Sequence, residues 1–478
     1  VTNYEKVEHF YKKLHKEFNY IENKFYKYFN IPFNITADTI KRRLVHIVCD
    51  GGHNTKLLNK RNFFQSLGLY WICILYFMVI SIFGKKFNNI KSDIIYEEWN
   101  SIGVHFDKFY KPIYESLNTK TQMIYAITES YDKKFDGNIN IIQRTTKINF
   151  EKYISKLIYK KSICIYFILF SFSIRNKFDF IGFYLRLLIS MAKYETESKN
   201  LDVDFLVTAH DNGYDALKYY IYKKNGIKNI ISIQNGLRGD NHPEGADMYI
   251  YSDFYFSYGA KQSDAMLGLK AKDIIYSGSF PVYFLSQHHK NTDIIYDIVL
   301  IEQMSDIDVE SVFKISTYQD IIYNLKEFAK KHCNLNVAYR VRKPRNIGED
   351  KYFLPVDSLI KDSNIIFESL QSKDSYEAIL KSHIIIGYSS SMIYEAIGLE
   401  KKVLICNYDI FSYLPVIDSP VVSLVNTYEE FEKKLLYLLN TDYKKLEKYY
   451  YELKSDYMNI GENPINKINN IIYKYNKE

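Results

Sequence analysis

Three groups of residues in this chain have types and spacings that could do chemistry. The first lies in Ser382 to Asn407, SHIIIGYSSSMIYEAIGLEKKVLICN. An apolar run, Ile384-Ile385-Ile386, is followed by Gly387, Tyr388 and the serines Ser389, Ser390 and Ser391; Met392 to Leu399 then has helical spacing and Val403 to Cys406 is apolar again. This pattern predicts strand, turn, helix, strand. Small hydroxyl residues at a helix N-terminus combine free N–H groups, hydroxyl donors and the positive end of the helix dipole, a combination suited to a phosphate. Glu395, one turn further in, is placed to accept hydrogen bonds from ribose hydroxyls. Spacing alone fits equally well a plain N-cap at Ser389 and a solvated Glu395.

The second group is cationic. Asn336 to Val341 reads as a strand that delivers Arg340, Arg342, Lys343, Pro344 and Arg345. Alternation puts Arg340 and Arg342 on one face, and cations there would stabilise a pyrophosphate or phosphodiester through charge-assisted hydrogen bonds. A solvated basic strand end is the alternative.

The third group carries proton-transfer residues. Phe205 to Thr208 is an apolar strand delivering Ala209-His210-Asp211-Asn212-Gly213, and Asn229 to Ile233 delivers Gln234-Asn235-Gly236-Leu237-Arg238-Gly239-Asp240. A right-handed crossover sets the carboxyl ends of the two strands side by side, so Asp211 should approach the Gln234 to Asp240 loop. Asp211, with His210 as second choice, is the expected base for a hydroxyl proton; a turn or N-cap role for Asp211 is the alternative. Acidic residues also end an earlier strand, Asp93 to Tyr96, at Glu97-Glu98, and Glu98 joins the candidate cleft with Gln234, Asn235, Gly236, Arg238 and Asp240.

The elements that must hold these groups read as α/β with two Rossmann-like domains. Residues 1–86 form a helical N-terminal region, 87–285 a first Rossmann-like domain, 286–440 a second, and 441–478 C-terminal helices packing back on the first. Within the N-terminal region, Val45 to Cys49 reads as a strand entering the turn Asp50-Gly51-Gly52-His53-Asn54. At 478 residues the chain is long enough for two cores. The formal charge of +7 is mild and spread along the chain, which argues against a nucleic-acid partner and fits anionic ligands or an anionic membrane surface. The five cysteines, Cys49, Cys73, Cys164, Cys333 and Cys406, have no CxxC or Cys/His spacing, so a reducing compartment and no metal are expected.

Leu67 to Phe83 runs seventeen residues without a charge, between Lys60-Arg61 and Lys85-Lys86. A buried core helix, a monotopic insertion and a membrane span all fit it. A second run, Ile163 to Phe172, is too short to span and reads as a core or interfacial helix. No signal sequence follows Val1. The expected location is the cytoplasm, or the inner face of the cytoplasmic membrane as a peripheral protein.

The Ser389 to Ser391 turn followed by Glu395-Ala396 and an apolar strand resembles the nucleotide-binding half of GT-B glycosyltransferases of bacterial surface carbohydrate synthesis. It is most similar to the CDP-glycerol glycerophosphotransferase and Kdo transferase groups. The order Gln234-Asn235-Gly236, Tyr258-Gly259 and Gly278-Ser279-Phe280-Pro281 ahead of a second domain is similar too; Lys343-Pro344 stands where those families often carry a basic-Pro or His-Pro pair. The resemblance implies that the serines contact a donor phosphate and Glu395 its ribose. It further implies a nucleotide-sugar donor as substrate, no separate cofactor, and a surface polysaccharide or lipid-linked glycan as acceptor. A sugar-nucleotide epimerase of the same architecture, and a non-catalytic subunit of a glycan assembly complex, are the competing readings.

Overall fold

The computed structural model describes residues 3–48, 68, 90–99, 105–126, 140–143, 160–199, 201–238, 249–288, 293–302, 315–341, 346–348, 354–361, 363–368, 375–388, 390–410, 414–458 and 463–475. Two parallel sheets organise them. The first contains β1 (Ile90–Glu98), β2 (Gln122–Ala126), β3 (Asn140–Gln143), β4 (Leu201–Thr208), β5 (Ile227–Ile233), β6 (Tyr251–Ser257) and β7 (Lys270–Tyr276), in the order β3-β2-β1-β4-β5-β6-β7. The second contains β8 (Tyr296–Ile301), β9 (Val337–Arg340), β10 (Ile366–Glu368), β11 (Ser382–Gly387), β12 (Lys402–Cys406) and β13 (Val422–Ser423), in the order β10-β9-β8-β11-β12-β13. This is the α/β organisation in two Rossmann-like halves that the sequence pattern predicts.

Both sheets are wound the same way. Each starts with an interior strand, steps outward through two more, then returns to the other side of the first. The strand order therefore reverses between β1 and β4 in one sheet and between β8 and β11 in the other. In open parallel sheets a crevice opens at that reversal, beyond the carboxyl ends of the strands. Helices cover both faces of such strands, so they read as continuous apolar runs. Ile384, Ile385 and Ile386 of β11 are fully buried, with Ile385 in register with Val299 of β8 and Val403 of β12.

Ahead of the first sheet come helices Asn3–Lys13, His15–Phe29 and Phe33–Val48. Their apolar stripe, including Val7, Phe18, Ile21, Phe25, Ile40 and Leu44, is buried in one core with helices Lys160–Asn176 and Phe180–Ser198. Of the strand expected over Val45 to Cys49, residues 45–48 are instead the end of the Phe33–Val48 helix, and Cys49 lies outside the described residues. Ile40, Leu44 and Val45 are buried at helical spacing, and a short apolar run does not distinguish a strand from a buried helical turn. Asp38 ties this layer to the sheet, accepting from Lys270 Nζ at 2.7 Å and from the Tyr251 hydroxyl.

At the other end, helix Pro464–Tyr475 lies on the first domain. Ile468 and Ile472 are buried with Ile94, Phe205 and Ile231, and Lys467 Nζ donates to the Tyr276 carbonyl at 2.9 Å. Among the described residues no helix is long and apolar enough to cross a membrane. The Leu67 to Phe83 run lies outside the described residues except for Gly68.

Candidate functional site

The first reversal point, between β1 and β4, gathers ionisable groups. Glu97, next to last in β1, has no exposed surface; its Oε1 accepts from Lys218 Nζ at 2.8 Å and its Oε2 from the Thr208 hydroxyl at 2.9 Å. Burial pushes this carboxyl upward, but the Lys218 ammonium, His210 and the two hydrogen bonds outweigh it and hold Glu97 below the usual glutamate value. Lys218 also sits 3.7 Å from the centre of the Tyr214 ring. Tyr110 clamps the two strand ends together, donating to the Glu97 carbonyl at 2.8 Å and accepting from the Ala209 N–H at 2.6 Å.

Next to this pair, Glu98 is also fully buried. Its Oε1 lies 2.9 Å from His105 Nδ1, and its Oε2 accepts from the Phe106 N–H at 2.7 Å. Trp99 follows, 41% exposed, with its indole 4.7 Å from the His105 ring and 4.9 Å from the His210 ring, the latter at 20°. Two imidazoles thus lean on one tryptophan at the mouth of the crevice.

His210 leaves β4 beside that tryptophan, and a glycine makes its position possible. A Cβ built on Gly213 would lie 2.6 Å from His210 Nδ1 and 2.7 Å from Cε1, so only a residue without a side chain fits beneath the ring. Nδ1 is buried and has no hydrogen-bond partner among the described residues. Burial, helped by Lys218 and His105, outweighs Glu97 and Asp211 and holds the imidazole below its ordinary value of 6.5. At neutral pH His210 is therefore an uncharged group able to take a proton.

Asp211 is placed differently. It is fully buried; Arg238 Nε donates to its Oδ2 at 3.0 Å, Arg238 Nη2 to its Oδ1 at 2.7 Å, and the Tyr255 hydroxyl to Oδ2 at 2.7 Å. The approach of Asp211 to the Gln234 loop thus takes the form of a bidentate ion pair. Gln234, fully buried, donates through Nε2 to the Gly236 carbonyl at 2.7 Å and accepts at Oε1 from the Tyr258 N–H at 2.8 Å; Asn235 Oδ1 accepts from Arg238 Nη2 at 2.8 Å. These residues brace the loop against β6.

At the second reversal point, β11 runs through Gly387 into the serine turn. Ser390 is the N-cap of helix Ser391–Gly398, its hydroxyl accepting from the Met392 N–H at 3.2 Å. A Cβ on Gly387 would meet Ile393 Cγ1 at 2.2 Å, so this glycine lets the helix lie close over the strand end. Arg340 ends β9, and β8 separates β9 from β11 in the sheet, so the cationic strand end and the serine turn stand two strands apart, about 10 Å. Arg340 is buried, its Nη1 3.5 Å from Glu368 Oε2. Arg342, Lys343, Ser389 and Asp240 lie outside the described residues.

Glu395 joins the two halves. It is 1% exposed, and its Oε1 accepts from the hydroxyls of Tyr376 and Ser279, each at 2.8 Å, and of Tyr258 at 3.3 Å. Tyr258 and Ser279 follow β6 and β7 of the first sheet, whereas Tyr376 and Glu395 belong to the second domain. Glu395 Oε2 is buried without a partner among the described residues, a position that a ligand hydroxyl would complete. A second contact, Lys108 Nζ over the Tyr376 ring at 5.1 Å, joins the segment after β1 to the same domain. The carboxyl ends of the two sheets therefore face one another.

Glu97, Trp99, His105, Lys218, Ser279 and Tyr376 were not among the candidates chosen from sequence. Glu97 and His105 carried a usable signal, a second carboxylate at the strand end and a histidine seven residues beyond Glu98; Lys218 and Tyr376 sit on unremarkable helices. Among the described residues no group of three or more His, Cys, Asp or Glu could hold a metal ion.

No family model and no curated protein matches this chain. Solved structures match over most of it at low identity. The wall teichoic acid polymerase TagF is 12% identical over 87% of this chain and 97% of its own, with a TM-score of 0.48. UDP-GlcNAc 2-epimerase from Neisseria meningitidis is 14% identical over 81% of this chain and 100% of its own, with a TM-score of 0.42. MnaA from S. aureus, solved with UDP, is 12% identical over 81% of this chain and 97% of its own, with a TM-score of 0.43.

Proposed function

We propose that this chain is a GT-B-type glycosyltransferase that moves a sugar, or a related phosphate-bearing group, from a nucleotide-activated donor to a surface polysaccharide or lipid-linked glycan. One observation carries this reading: the carboxyl ends of the two sheets meet at Glu395, the first sheet carrying proton-transfer groups at its β1–β4 reversal and the second a hydroxylated helix N-terminus at its β8–β11 reversal. A donor lies on the second domain and an acceptor on the first, with chemistry between them.

In this reading His210 removes the acceptor hydroxyl's proton as that oxygen bonds to the transferred group and the bond to the leaving phosphate breaks. The neutral imidazole, wedged between Trp99 and Gly213, supports His210 as the base. The saturated ion pair of Asp211 supports a positioning role there, setting the Gln234 to Arg238 loop at the rim of the cleft. Ser389, Ser390 and Ser391, with the N–H groups opening their helix, hold the leaving phosphate as charge builds on it; Arg340 at the end of β9, with Arg342 and Lys343 next in sequence, supplies positive potential. Glu395 takes a ribose hydroxyl at Oε2.

Calorimetric titration with UDP, GDP, CDP and CMP tests the donor site, because a ligand selective for the folded state also raises the melting temperature. If no nucleotide binds, the proposal fails.

The crowding of Glu97, Glu98, His105, His210 and Asp211 at one sheet edge favours a second reading, a sugar-nucleotide epimerase. Incubating the bound sugar nucleotide in D2O without acceptor separates the two. An epimerase that works by proton abstraction at carbon incorporates deuterium and forms an isomer, whereas a transferase leaves the sugar's carbon-bound hydrogens in place.

A further inference from the structure

Where β4 stops, the backbone ladder to β1 stops with it, yet the next two residues stay tied to the same place. Glu97 stands in register with Thr208, the last residue of β4. The Ala209 N–H donates to the Tyr110 hydroxyl at 2.6 Å, and that hydroxyl donates to the Glu97 carbonyl at 2.8 Å. The His210 N–H donates to Thr208 Oγ1 at 3.0 Å, and the Thr208 hydroxyl donates to Glu97 Oε2 at 2.9 Å. Two hydroxyl bridges, one to the main chain of Glu97 and one to its carboxylate, therefore continue the pairing into the turn that carries His210. Glu97, Thr208, Ala209 and Tyr110 have no exposed surface.

Holding a turn does not by itself call for a buried ion. Replacing a buried ion pair with well-packed apolar side chains is often neutral or stabilising, so packing alone does not account for Glu97 and Lys218. What a carboxylate adds beside an imidazole is stabilisation of the charged form. Burial lowers the His210 pKa most and Glu97 opposes it most, with Asp211 also raising it and Lys218 and His105 lowering it. Glu97 is thus the larger of the two anionic influences on the ring. Asp211, the other, is held bidentately by Arg238.

We propose that Glu97 is a positioning residue for His210, fixing its turn through Thr208 and Tyr110 and stabilising the imidazolium formed when the ring takes the acceptor's proton. The inference rests on the reading of His210 as the base. In that step the proton passes from the acceptor hydroxyl to the imidazole, the oxygen's electron pair forms the bond to the transferred group, and the leaving phosphate keeps the pair of the bond that breaks. The bonds of Glu97 to Lys218 and Thr208 stay in place throughout.

The test follows the His210 ring by NMR in the full chain labelled with carbon-13 histidine, the signal being assigned by its loss in His210→Gln. It needs neither donor nor acceptor, so its failure is distinct from a failure of the transferase reading. In Glu97→Gln the ring is expected to titrate about one pH unit lower than in the wild-type chain. Thr208→Val leaves the Glu97 and Lys218 pair intact but severs the bridge to the His210 N–H. There the Cε1 proton should lose the upfield displacement that stacking on Trp99 gives, and Thr208→Ser should keep it. This pair of variants decides the matter even where Glu97→Gln does not fold. In a transfer assay the acid limb of kcat should move down with the ring in Glu97→Gln and the plateau should fall by up to about tenfold, one unit of pKa being a factor of ten in one interaction. A residue that only held the fold would lower kcat without moving the limb. An unchanged His210 titration in Glu97→Gln, or a ring as displaced in Thr208→Ser as in Thr208→Val, would overturn the proposal. A shifted titration with an unmoved acid limb would remove His210 from the base's role, and the inference with it.

Discussion

Arg238 grips Asp211 with two parallel hydrogen bonds, Nε to Oδ2 at 3.0 Å and Nη2 to Oδ1 at 2.7 Å, and both side chains are buried. Removing one member of such a pair strands the other's charge out of water, which costs far more than the pair contributes as a unit. Arg238→Met is therefore expected to lower the stability of the first domain by about 3–5 kcal/mol in urea titration. Asp211→Asn keeps one acceptor oxygen and should cost less while retaining measurable turnover. Full stability with complete loss of turnover in Asp211→Asn would return the base to Asp211.

A Cβ at position 213 would overlap the His210 ring, so Gly213→Ala should push the imidazole off its Trp99 platform without touching the donor domain. The expected result is a fall in kcat approaching that of His210→Ala, about 10²–10⁴-fold for loss of a general base, with nucleotide affinity unchanged. A Gly213→Ala enzyme with wild-type kcat would show that the ring's position does not matter.

His210 also predicts a pH effect with a definite sign. Its folded-state pKa is depressed below 6.5, chiefly by burial, so below 6.5 the unfolded chain binds a proton that the folded chain resists. Stability is complete above about 6.5 and declines as pH falls toward the folded value. His210→Gln should remove this decline in urea titrations between neutral and mildly acid pH; an unchanged decline would assign it to another group.

How much of this was legible beforehand follows from the range of each interaction. Parallel strands buried on both faces write themselves as apolar runs, and the polar residues after them mark the sheet edge, so His210, Asp211 and the serine turn could be found by eye. Val45 to Cys49 misled because its periodicity fits a helical turn as well as a strand. Roles were harder to read than positions. Whether Asp211 is open to a substrate depends on Arg238, 27 residues away, and Tyr255, 44 residues away, and nothing local to Asp211 announces either. The type and offset of Glu395 suggested a ribose contact, but its contact between the two domains rests on Tyr258, 137 residues distant.

Glu97, paired with Lys218, gives stability its own dependence on pH. Glu97 is held below the usual 4.5 by Lys218 and its hydrogen-bond donors despite the opposing effect of burial. Its contribution is present above the unfolded value and is lost as pH falls through the folded one. In Lys218→Met the carboxylate stays buried without its cation, its pKa rises, and the folded form prefers the protonated acid. The variant should thus lose most stability at neutral pH, about 3–5 kcal/mol, and recover part of the deficit as pH falls toward 5. A deficit that does not vary with pH would mean that Lys218 acts through packing on Tyr214 rather than through charge.

Glu395 offers the sharpest contrast, because its two oxygens have different occupants. Oε1 accepts three hydroxyls while Oε2 has no partner among the described residues. Ser279→Ala or Tyr376→Phe removes one donor of the three and should cost about 1.5–3 kcal/mol, the worth of one hydrogen bond to a charged acceptor. Glu395→Gln keeps an acceptor oxygen for those hydroxyls but sets an NH2 where the ribose would bind, so the fold should survive while nucleotide affinity drops. A hydrogen bond to a charged acceptor contributes about 1.5–3 kcal/mol, which corresponds to roughly 10–150-fold in Kd. Titrating ribo- and deoxyribonucleotides against both proteins reads this directly. The wild-type chain should prefer the ribose form and Glu395→Gln should lose that preference; equal binding of both sugars by the wild-type chain would confine Glu395 to holding the two domains together.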